Sequence, residues 1–362
     1  MKILFKSIAF LFLIAPLALS ATEGKLKGKY TKEKTIKKEF NVNADALLKV
    51  SNSYGNLHIS SWNENRVLIE VHVKTNGNNE EKVQRKLDEI TIDFEANTSE
   101  VSAKTLFHNN KSDWSWNWGR SNNVNMQVNY TIKLPIKNSV NLNNDYGGIN
   151  LDRIDGHAKI SCDYGRLEIG ELRGRNNSLN FDYTTESHIG YIKSGEIRAD
   201  YSGFTIDKAE NLIINADYTS STVLEMKNLQ YTCDYGNIEV KEVNNIQGKG
   251  DYINVKLGKV HGNVEIKADY GNVKIEEMAE DAGNLAISLD YTGAKIGYHP
   301  NYHFDFEIRT SYAGVSGNED FEISTSSEKS NEKYYKGFYG KANSGNNLTI
   351  DSDYGGISFH KN

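Results

Sequence analysis

Hydrophobic and polar positions repeat along the second half of the chain with a period of 17 to 21 residues. Each unit centres on an Asp-Tyr pair that is often followed by glycine, as in Cys162-Asp163-Tyr164-Gly165. A short fixed period predicts a repeat architecture, whose units bury their apolar faces only by stacking on one another. The repeated tyrosines are Tyr146, Tyr164, Tyr183, Tyr201, Tyr218, Tyr235, Tyr252, Tyr270, Tyr291 and Tyr312, with an isolated earlier copy at Tyr54 and a last one at Tyr354.

Aligning the units on the tyrosine gives columns of apolar residues at six and four positions before it and at three, five and eight positions after it. Residues two positions before are mostly small, such as Cys162, Ala199 and Cys233. Alternate side chains of a strand face opposite sides, so the change of parity across Asp-Tyr-Gly requires a corner, where Gly147 and Gly165 are expected to take positive φ. These columns predict an all-β fold, a single-stranded parallel β-helix (β-solenoid) with 17–21-residue coils. Tyr146 through Tyr291 should each lie next to the following tyrosine.

The chain before the coils has less regular patterns. Residues 40–140 are predicted to form an N-terminal cap that covers the exposed end of the solenoid. It contains several strands and one helix at 80–89, with Asn78 and Glu81 as a capping box. Residues 141–362 form the predicted β-solenoid, whose polar, glycine-rich insertion at 324–345 is expected to be a loop folded back over the coils.

The first 20 residues have the pattern of an export signal: Lys2 and Lys6, then the apolar run 8–15, then small residues at Ala18 and Ser20. A lysine-rich segment, 21–39, is expected to be a solvated leader. This apolar run is too short to span a membrane, and no other run approaches the required length. The protein is therefore expected to be exported, to the periplasm, the outer surface or the medium, with no transmembrane segment after cleavage.

The net charge limits the class of partner, and the positions of the two cysteines predict whether they form a disulfide. The formal net charge of −6 argues against nucleic acid as a partner. Cys162 and Cys233 occupy the same column four coils apart, roughly 19 Å at the usual spacing between strands, which is too far for a disulfide. Both are predicted to be free, buried thiols.

The order of these features resembles a known family. Ser53-Tyr54-Gly55-Asn56-Leu57-His58-Ile59 is followed by a charged helix, by Ile132-Lys133-Leu134-Pro135 and then by the Asp-Tyr-Gly coils. This is similar to the exported bacterial β-strand-repeat proteins called putative adhesins or toast-rack proteins, over most of the chain after Phe40. The resemblance implies a right-handed β-helix with a role at the cell surface or envelope. It implies no catalytic residues.

Two repeated columns could carry chemistry. Ten aspartates precede the repeated tyrosines, from Asp145 to Asp353. They could form a row of calcium sites, because Ca²⁺ prefers carboxylate oxygens, or each could accept backbone N–H bonds in its own corner as an Asx-turn. The second interpretation is favoured because the glycine-rich nonapeptides of calcium-binding β-helices are absent. The tyrosine column could bind sugars or could simply cover the corner.

No catalytic or phosphate-binding signature is present, and no cofactor is predicted. His299 and His303 are two potential ligands without a third. The unusual segment is Asp113-Trp114-Ser115-Trp116-Asn117-Trp118-Gly119. In an extended conformation Trp114, Trp116 and Trp118 point to one side and would form a binding platform for a sugar or a partner protein; alternatively, they pack over the cap.

Two classes of function fit the sequence. The first is a non-catalytic envelope or cell-surface protein, an adhesin or interaction scaffold that binds a surface glycan or an envelope protein. The second is a β-helix enzyme acting on polysaccharide. The first is favoured because such enzymes have long loops that form a cleft, whereas these coils are short and regular. The oligomeric state does not follow from the sequence.

Overall fold

The computed structural model describes residues 27–108 and 124–362. Within these ranges the chain forms one helix, α1 (Glu80–Glu89), and 27 strands. The strands join in a long, mostly parallel and unclosed sheet. The fold is therefore all-β, as predicted, and is consistent with a β-solenoid.

Each coil contributes one strand before its tyrosine and one strand after it. The strand before the tyrosine pairs in parallel with its equivalents in the adjacent coils, so that Asp163 lies opposite Asp145, and the strand after the tyrosine does the same, with Leu167 opposite Ile149. The strands of these coils are β8 (Ser139–Asp145), β9 (Ile149–Ile154), β10 (Ala158–Asp163), β11 (Leu167–Leu172), β12 (Asn177–Asp182), β13 (Ser187–Asp200), β14 (Gly203–Asn215), β15 (Ser220–Thr232), β16 (Asn237–Asp251), β17 (Asn254–Val260), β18 (Val264–Asp269), β19 (Asn272–Met278), β20 (Leu285–Asp290) and β21 (Gly293–Tyr298).

The long strands β13 to β16 are continuous from one tyrosine corner to the next. Each of them pairs in parallel along its length with the next, at offsets that keep the repeats in register. Because the register is preserved, equivalent side chains of successive coils form straight rows, both inside and outside. The apolar columns predicted from the sequence are buried; Leu212, Ile214 and Ala216, for example, are each at most 3% exposed.

The N-terminal strands extend the sheet beyond both strands of the first coil, first by a parallel strand and then by antiparallel ones. This coil is formed by β2 (Leu47–Ser53) and β3 (Leu57–Trp62). Beyond β2 lie β6 (Glu100–Phe107), in parallel, and then β5 (Ile90–Ala96), antiparallel to β6. Beyond β3 lie β7 (Asn125–Pro135), β4 (Arg66–Gly77) and β1 (Tyr30–Asn41). The cap strands thus cover an end that would otherwise present unpaired strand edges.

The lysine-rich segment differs from the expected solvated leader, because β1 is a strand of 12 residues that pairs with β4 along its whole length. Alternate residues of β1 are half-buried, and long lysine stems can cover apolar surface in such positions. The Lys34 ammonium donates hydrogen bonds to the carbonyl oxygens of Leu87 and Ile90, each at 2.6 Å, at the C-terminal end of α1. Burial lowers the pKa of Lys34.

The N-cap residue of helix α1 is one residue later than predicted. The side chain of Asn79, not Asn78, accepts a hydrogen bond from the backbone N–H of Lys82 at 2.9 Å. Asn78 instead accepts one from the backbone N–H of Lys29. Both asparagines can cap a helix, but the hydrogen bond of Asn78 to Lys29, just before β1, leaves Asn79 as the cap.

The C-terminal end departs from the predicted order of coils. The coil formed by β22 (Phe304–Ser311) and β23 (Val315–Ser316) does not lie beside the coil of β20 and β21. The final coil, β26 (Asn347–Asp353) and β27 (Ile357–Lys361), lies between them and pairs in parallel with both. Spatial order therefore departs from chain order in the last two coils.

The insertion is also different from the expected loop. Most of it forms a hairpin of β24 (Glu322–Lys329) and β25 (Glu332–Tyr339). Strand β25 pairs antiparallel with β22 and thus continues the sheet past the outermost coil. In the part of the chain that the structure describes, no helix is long and apolar enough to cross a membrane.

Candidate recognition surface along the tyrosine edge

The repeated tyrosines form one uninterrupted stack of rings, here called the tyrosine ladder. Successive ring centroids are 4.6 to 5.3 Å apart, with interplanar angles of 1 to 9°. The predicted adjacency of Tyr146 through Tyr291 is confirmed. In spatial order the ladder consists of Tyr54, Tyr146, Tyr164, Tyr183, Tyr201, Tyr218, Tyr235, Tyr252, Tyr270, Tyr291, Tyr354 and Tyr312.

The ladder rings are 42 to 59% exposed, although they stack on each other. Stacking uses the faces of the inner rings, so the surface that remains consists of ring edges and phenol hydroxyls. No ladder hydroxyl forms a hydrogen bond with the described part of the protein. Each can therefore donate to and accept from a ligand, and the edge offers such a group once per coil.

The tyrosines themselves, and not the glycines, take the left-handed backbone conformation. All twelve have φ between +47 and +63°, whereas the glycines that follow them do not. The prediction of positive φ at Gly147 and Gly165 is therefore wrong. A left-handed non-glycine residue costs roughly 1–2 kcal/mol, and stacking of aromatic pairs contributes about 0.5–1.5 kcal/mol per pair. Stacking can thus offset the strain that each corner introduces.

The corner glycines are required by close packing between coils. A Cβ at Gly147 would stand 2.0 Å from the carbonyl oxygen of Gly55, and one at Gly165 would stand 2.1 Å from that of Gly147. The side chain two residues before each tyrosine lies next to these closely spaced carbonyl groups. The Cys162 thiol, for example, donates to the carbonyl oxygen of Gly147 at 3.5 Å. Asn144 Nδ2 donates to the carbonyl oxygen of Gly55 at 2.9 Å.

The aspartate column joins one coil to the next. Asp182 N–H donates to the Asp163 carboxylate at 3.3 Å, and Asp200 N–H to the Asp182 carboxylate at 3.0 Å. The same bond recurs at Asp217, Asp234 and Asp251. The Asx-turn prediction is wrong in its geometry, because these carboxylates accept from the next coil rather than from their own corner.

Burial and neighbouring charge raise the pKa of several groups along this edge. Burial, the adjacent tyrosines and the adjacent aspartates raise the pKa of Tyr164, Tyr218 and Tyr354. Burial, and then Asp251, raise the pKa of the Asp269 carboxyl. The aspartates thus give this edge a negative potential, which disfavours any additional negative charge, including that of an anionic ligand.

The two cysteines are free and buried, as predicted. Burial raises the pKa of both thiols to about 12, with Asp163 and Asp217 among the neighbouring charges that add to it. Thiolates are the reactive form of cysteine, so both side chains act as small core residues beneath the corner.

One end of the ladder is closed by the cap. The ring of Phe107, the last residue of β6, meets Tyr54 edge to face at 5.9 Å. The segment with Trp114, Trp116 and Trp118 follows Phe107 in the chain but lies outside the described residues. Its predicted role is therefore neither confirmed nor contradicted by this geometry.

The two loop histidines do not form a site together. His299 Nδ1 accepts a hydrogen bond from the backbone N–H of Asn301, and the His303 ring packs against Tyr339 with centroids 6.5 Å apart. Among residues 27–108 and 124–362, no group of three or more His, Cys, Asp or Glu side chains is placed to hold a metal ion.

The opposite edge of the coils carries a second row that was missed in the sequence. Seven asparagines each lie seven residues before a ladder tyrosine, and the six from Asn211 onward are here called the asparagine row. Their side chains link the coils: Asn228 Nδ2 donates to Asn211 Oδ1 at 2.8 Å, and Asn245 Nδ2 donates to Asn228 Oδ1 at 2.9 Å. The same alignment that revealed the tyrosines would have revealed this column. The row is Asn211, Asn228, Asn245, Asn263, Asn284 and Asn347.

No protein-family model matches this chain, and no curated protein matches it significantly. Solved structures similar to it include a "putative cell adhesion protein" from Clostridium sporogenes ATCC 15579, with 15% identity, 91% of this chain and 100% of that chain covered, and a TM-score of 0.17. A "putative adhesin" from Parabacteroides distasonis ATCC 8503 has 11% identity, coverage of 92% and 98%, and a TM-score of 0.30. Another from Bacteroides fragilis NCTC 9343 has 10% identity, coverage of 90% and 97%, and a TM-score of 0.24.

Each of these names describes only the protein that carries it. At such identities and TM-scores, the names say nothing about what this chain binds. The fold described above rests on the strand register of the chain itself. All three names are nevertheless of the kind that the Asp-Tyr-Gly coils indicated.

Proposed function

We propose that this chain is a non-catalytic, exported interaction protein of the cell envelope or surface, an adhesin-like scaffold that binds a glycan or a partner protein. The observation that supports this best is the tyrosine ladder. It presents twelve half-exposed rings in one straight row. A repeated surface on a stacked scaffold can engage an extended ligand at many equivalent points, and weak contacts then add up.

Trp114, Trp116 and Trp118 are the proposed principal recognition residues. They follow in the sequence seven, nine and eleven residues after Phe107, whose ring closes the ladder. Tryptophan and tyrosine are enriched where proteins recognise partners, because each combines a large apolar body with a polar group. In this proposal the tryptophans hold the ligand and the ladder extends the contact along the solenoid.

The chemistry of the ladder suits a neutral ligand rich in hydroxyl groups, or a protein surface of mixed polarity. Its hydroxyls can donate and accept, while the aspartates beside the rings discourage anionic polymers. Tyrosine also loses little side-chain entropy on binding, since it has few rotatable bonds.

The test uses two sets of variants and attachment to bacterial cells and to a glycan array. We expect Trp114→Ala/Trp116→Ala/Trp118→Ala to keep the melting temperature and lose attachment. Tyr201→Phe/Tyr218→Phe/Tyr235→Phe keeps the ring stack and removes three hydroxyls, and should weaken attachment several-fold. Asn237→Ala/Asn254→Ala, on exposed side chains in the same part of the solenoid, is the matched control.

A folded tryptophan variant that still attaches at full strength would rule out the tryptophans as the recognition residues. If that variant loses several kcal/mol of stability, the alternative holds, in which the rings pack over the cap, because truncation of buried aromatics costs about 3–5 kcal/mol each.

A further inference from the structure

The asparagine edge contains a groove that the proposed function does not use. Its volume is about 820 Å³, and it runs along the edge where the asparagine row lies. A further row of side chains, two residues after the asparagine positions, also lines the groove. It consists of Ser178, Glu196, Ile213, Gln230, Gln247 and Glu265.

We propose that this groove binds one extended, neutral polysaccharide chain that runs parallel to the solenoid axis. Six successive coils line it, from Asn176 to Asn263, which is roughly 24 Å at the usual strand spacing. No ladder tyrosine lines this groove, so the proposal does not depend on the proposed function.

Hydrogen-bonding capacity is the first support. Each asparagine amide has two N–H donors and an oxygen with two lone pairs. Asn228 uses one N–H toward Asn211 and accepts one bond from Asn245. One N–H and one lone pair of Asn228 therefore remain for a ligand, held in fixed orientation by the row. A preorganised row of this kind loses little entropy when it binds.

Charge supports a neutral chain. The only charged side chains that line the groove are Glu196 and Glu265, one near each end, and no cation lines it. Glu196 is paired with Arg198 at 2.8 Å, and Glu265 accepts a hydrogen bond from Gln247. An anionic polymer would meet two carboxylates, of which only Glu196 has a cation beside it, and that cation does not line the groove. Between these ends the groove offers amides and the side chain of Ile213, which is 44% exposed and can contact the apolar face of a sugar ring.

The spacing of the rows favours a glycan over a peptide. Equivalent groups recur once per coil, about 4.8 Å apart, whereas side chains on one face of an extended peptide recur about every 6.6 Å. A peptide would therefore lose register with the amides after two coils. A pyranose unit in an extended β-linked chain is close to one coil in length and can stay in register.

The test is native gel electrophoresis of the purified protein in gels that contain hydroxyethyl cellulose, a neutral β-linked glycan, or sodium polygalacturonate, an anionic one. We expect hydroxyethyl cellulose to retard the protein. Gln230→Ala/Gln247→Ala should weaken this at least tenfold at an unchanged melting temperature. Asn237→Ala/Asn254→Ala changes two exposed amides in the same coils outside the groove lining, and should have no effect.

Three outcomes would overturn the proposal: no retardation by hydroxyethyl cellulose, equal retardation of the groove variant and the wild type, or retardation by polygalacturonate alone. The Trp114→Ala/Trp116→Ala/Trp118→Ala variant separates the two proposals. It should keep its retardation in the gel, even if its attachment to cells is lost.

Discussion

The two edges of the solenoid, tyrosine and asparagine, join successive coils in different ways. At the tyrosine edge the backbone turns sharply through a left-handed residue, and stacked rings and aspartate carboxylates hold the coils together. At the asparagine edge the strands β13 to β16 continue without a break, and side-chain amides bond to one another. The comparison shows that a sharp corner needs strong lateral contacts, whereas a gentle one needs only modest ones.

The difference also concerns what each edge offers a ligand. Stacking leaves the tyrosine edge with ring edges and hydroxyls, which form a convex, amphipathic row. The asparagine edge keeps part of its amide hydrogen-bonding capacity inside a groove. Variants that act on one edge should therefore leave the other intact.

Alkaline pH should have the largest effect, because it ionises tyrosines and buried thiols whose pKa is raised in the folded state. The folded-state pKa of Tyr164, Tyr218 and Tyr354 is raised, and burial raises the pKa of Tyr130 in the cap to about 12, above the usual tyrosine value of about 10. Because the tyrosine pKa is raised on folding, the contribution of these tyrosines to the free energy of unfolding is fully present below about pH 10. It is lost as the pH rises through the folded-state pKa. Tyr130 alone accounts for about 3 kcal/mol once both states are ionised. Urea unfolding between about pH 8 and pH 12 measures this; a constant free energy of unfolding would contradict it.

A methyl group at a corner glycine should have the next largest effect. In Gly271→Ala the new Cβ would stand 1.9 Å from the carbonyl oxygen of Ile253, so two coils must move apart. We expect a loss of about 3 kcal/mol in the free energy of unfolding. Gly314→Ala is the control, because its Cβ would meet nothing within 4 Å, and it should change stability by less than about 0.5 kcal/mol. Equal effects of the two changes would show that the coils are not in this close contact.

Removal of one ring should have a moderate effect. Tyr218→Asn keeps a residue that tolerates the left-handed conformation but removes the ring contacts to Tyr201 at 4.8 Å and to Tyr235 at 5.0 Å. The expected loss is about 1–3 kcal/mol for the two contacts. Tyr218→Phe keeps both contacts and should be close to neutral. Thermal unfolding of both variants decides whether the rings stabilise the corner.

The smallest effect is expected at the asparagine edge. Asn228→Ala removes the side-chain hydrogen bonds to Asn211 and Asn245. Both are accessible to water, so the expected loss is about 1 kcal/mol. A loss greater than that of Tyr218→Asn would reverse the comparison between the edges.

Much of this fold follows from one period in the sequence. The columns of apolar residues specify the parallel stacking, since a slip by one residue would turn every core side chain outward. The free thiols of Cys162 and Cys233 follow from the same register. The order of the last coils does not, because Tyr312 and Tyr354 carry equivalent patterns and either could pair with the coil of Tyr291.

The details of the corner could not be read from the pattern either. The glycine after the tyrosine suggested a positive φ at the glycine, but the tyrosine takes it. Glycine is required there because a carbonyl group of the adjacent coil leaves no room for a Cβ. The acceptor role of Asp163 toward the next coil depends on that same backbone geometry. The strand at Tyr30–Asn41 was hidden by its lysines, although its half-buried residues alternate as in any edge strand. The asparagine row was visible at a fixed distance before each tyrosine, but its polar side chains do not contribute to the core pattern.

The most direct test of the central claim, that the tyrosine edge is a recognition surface, is nitration of tyrosines by tetranitromethane, mapped by peptide mass spectrometry with and without bacterial cells bound. We expect binding to protect Tyr201, Tyr218 and Tyr235, while the half-buried Tyr334 of the C-terminal hairpin is nitrated equally in both states. Equal nitration of Tyr201, Tyr218 and Tyr235 in free and cell-bound protein would contradict it.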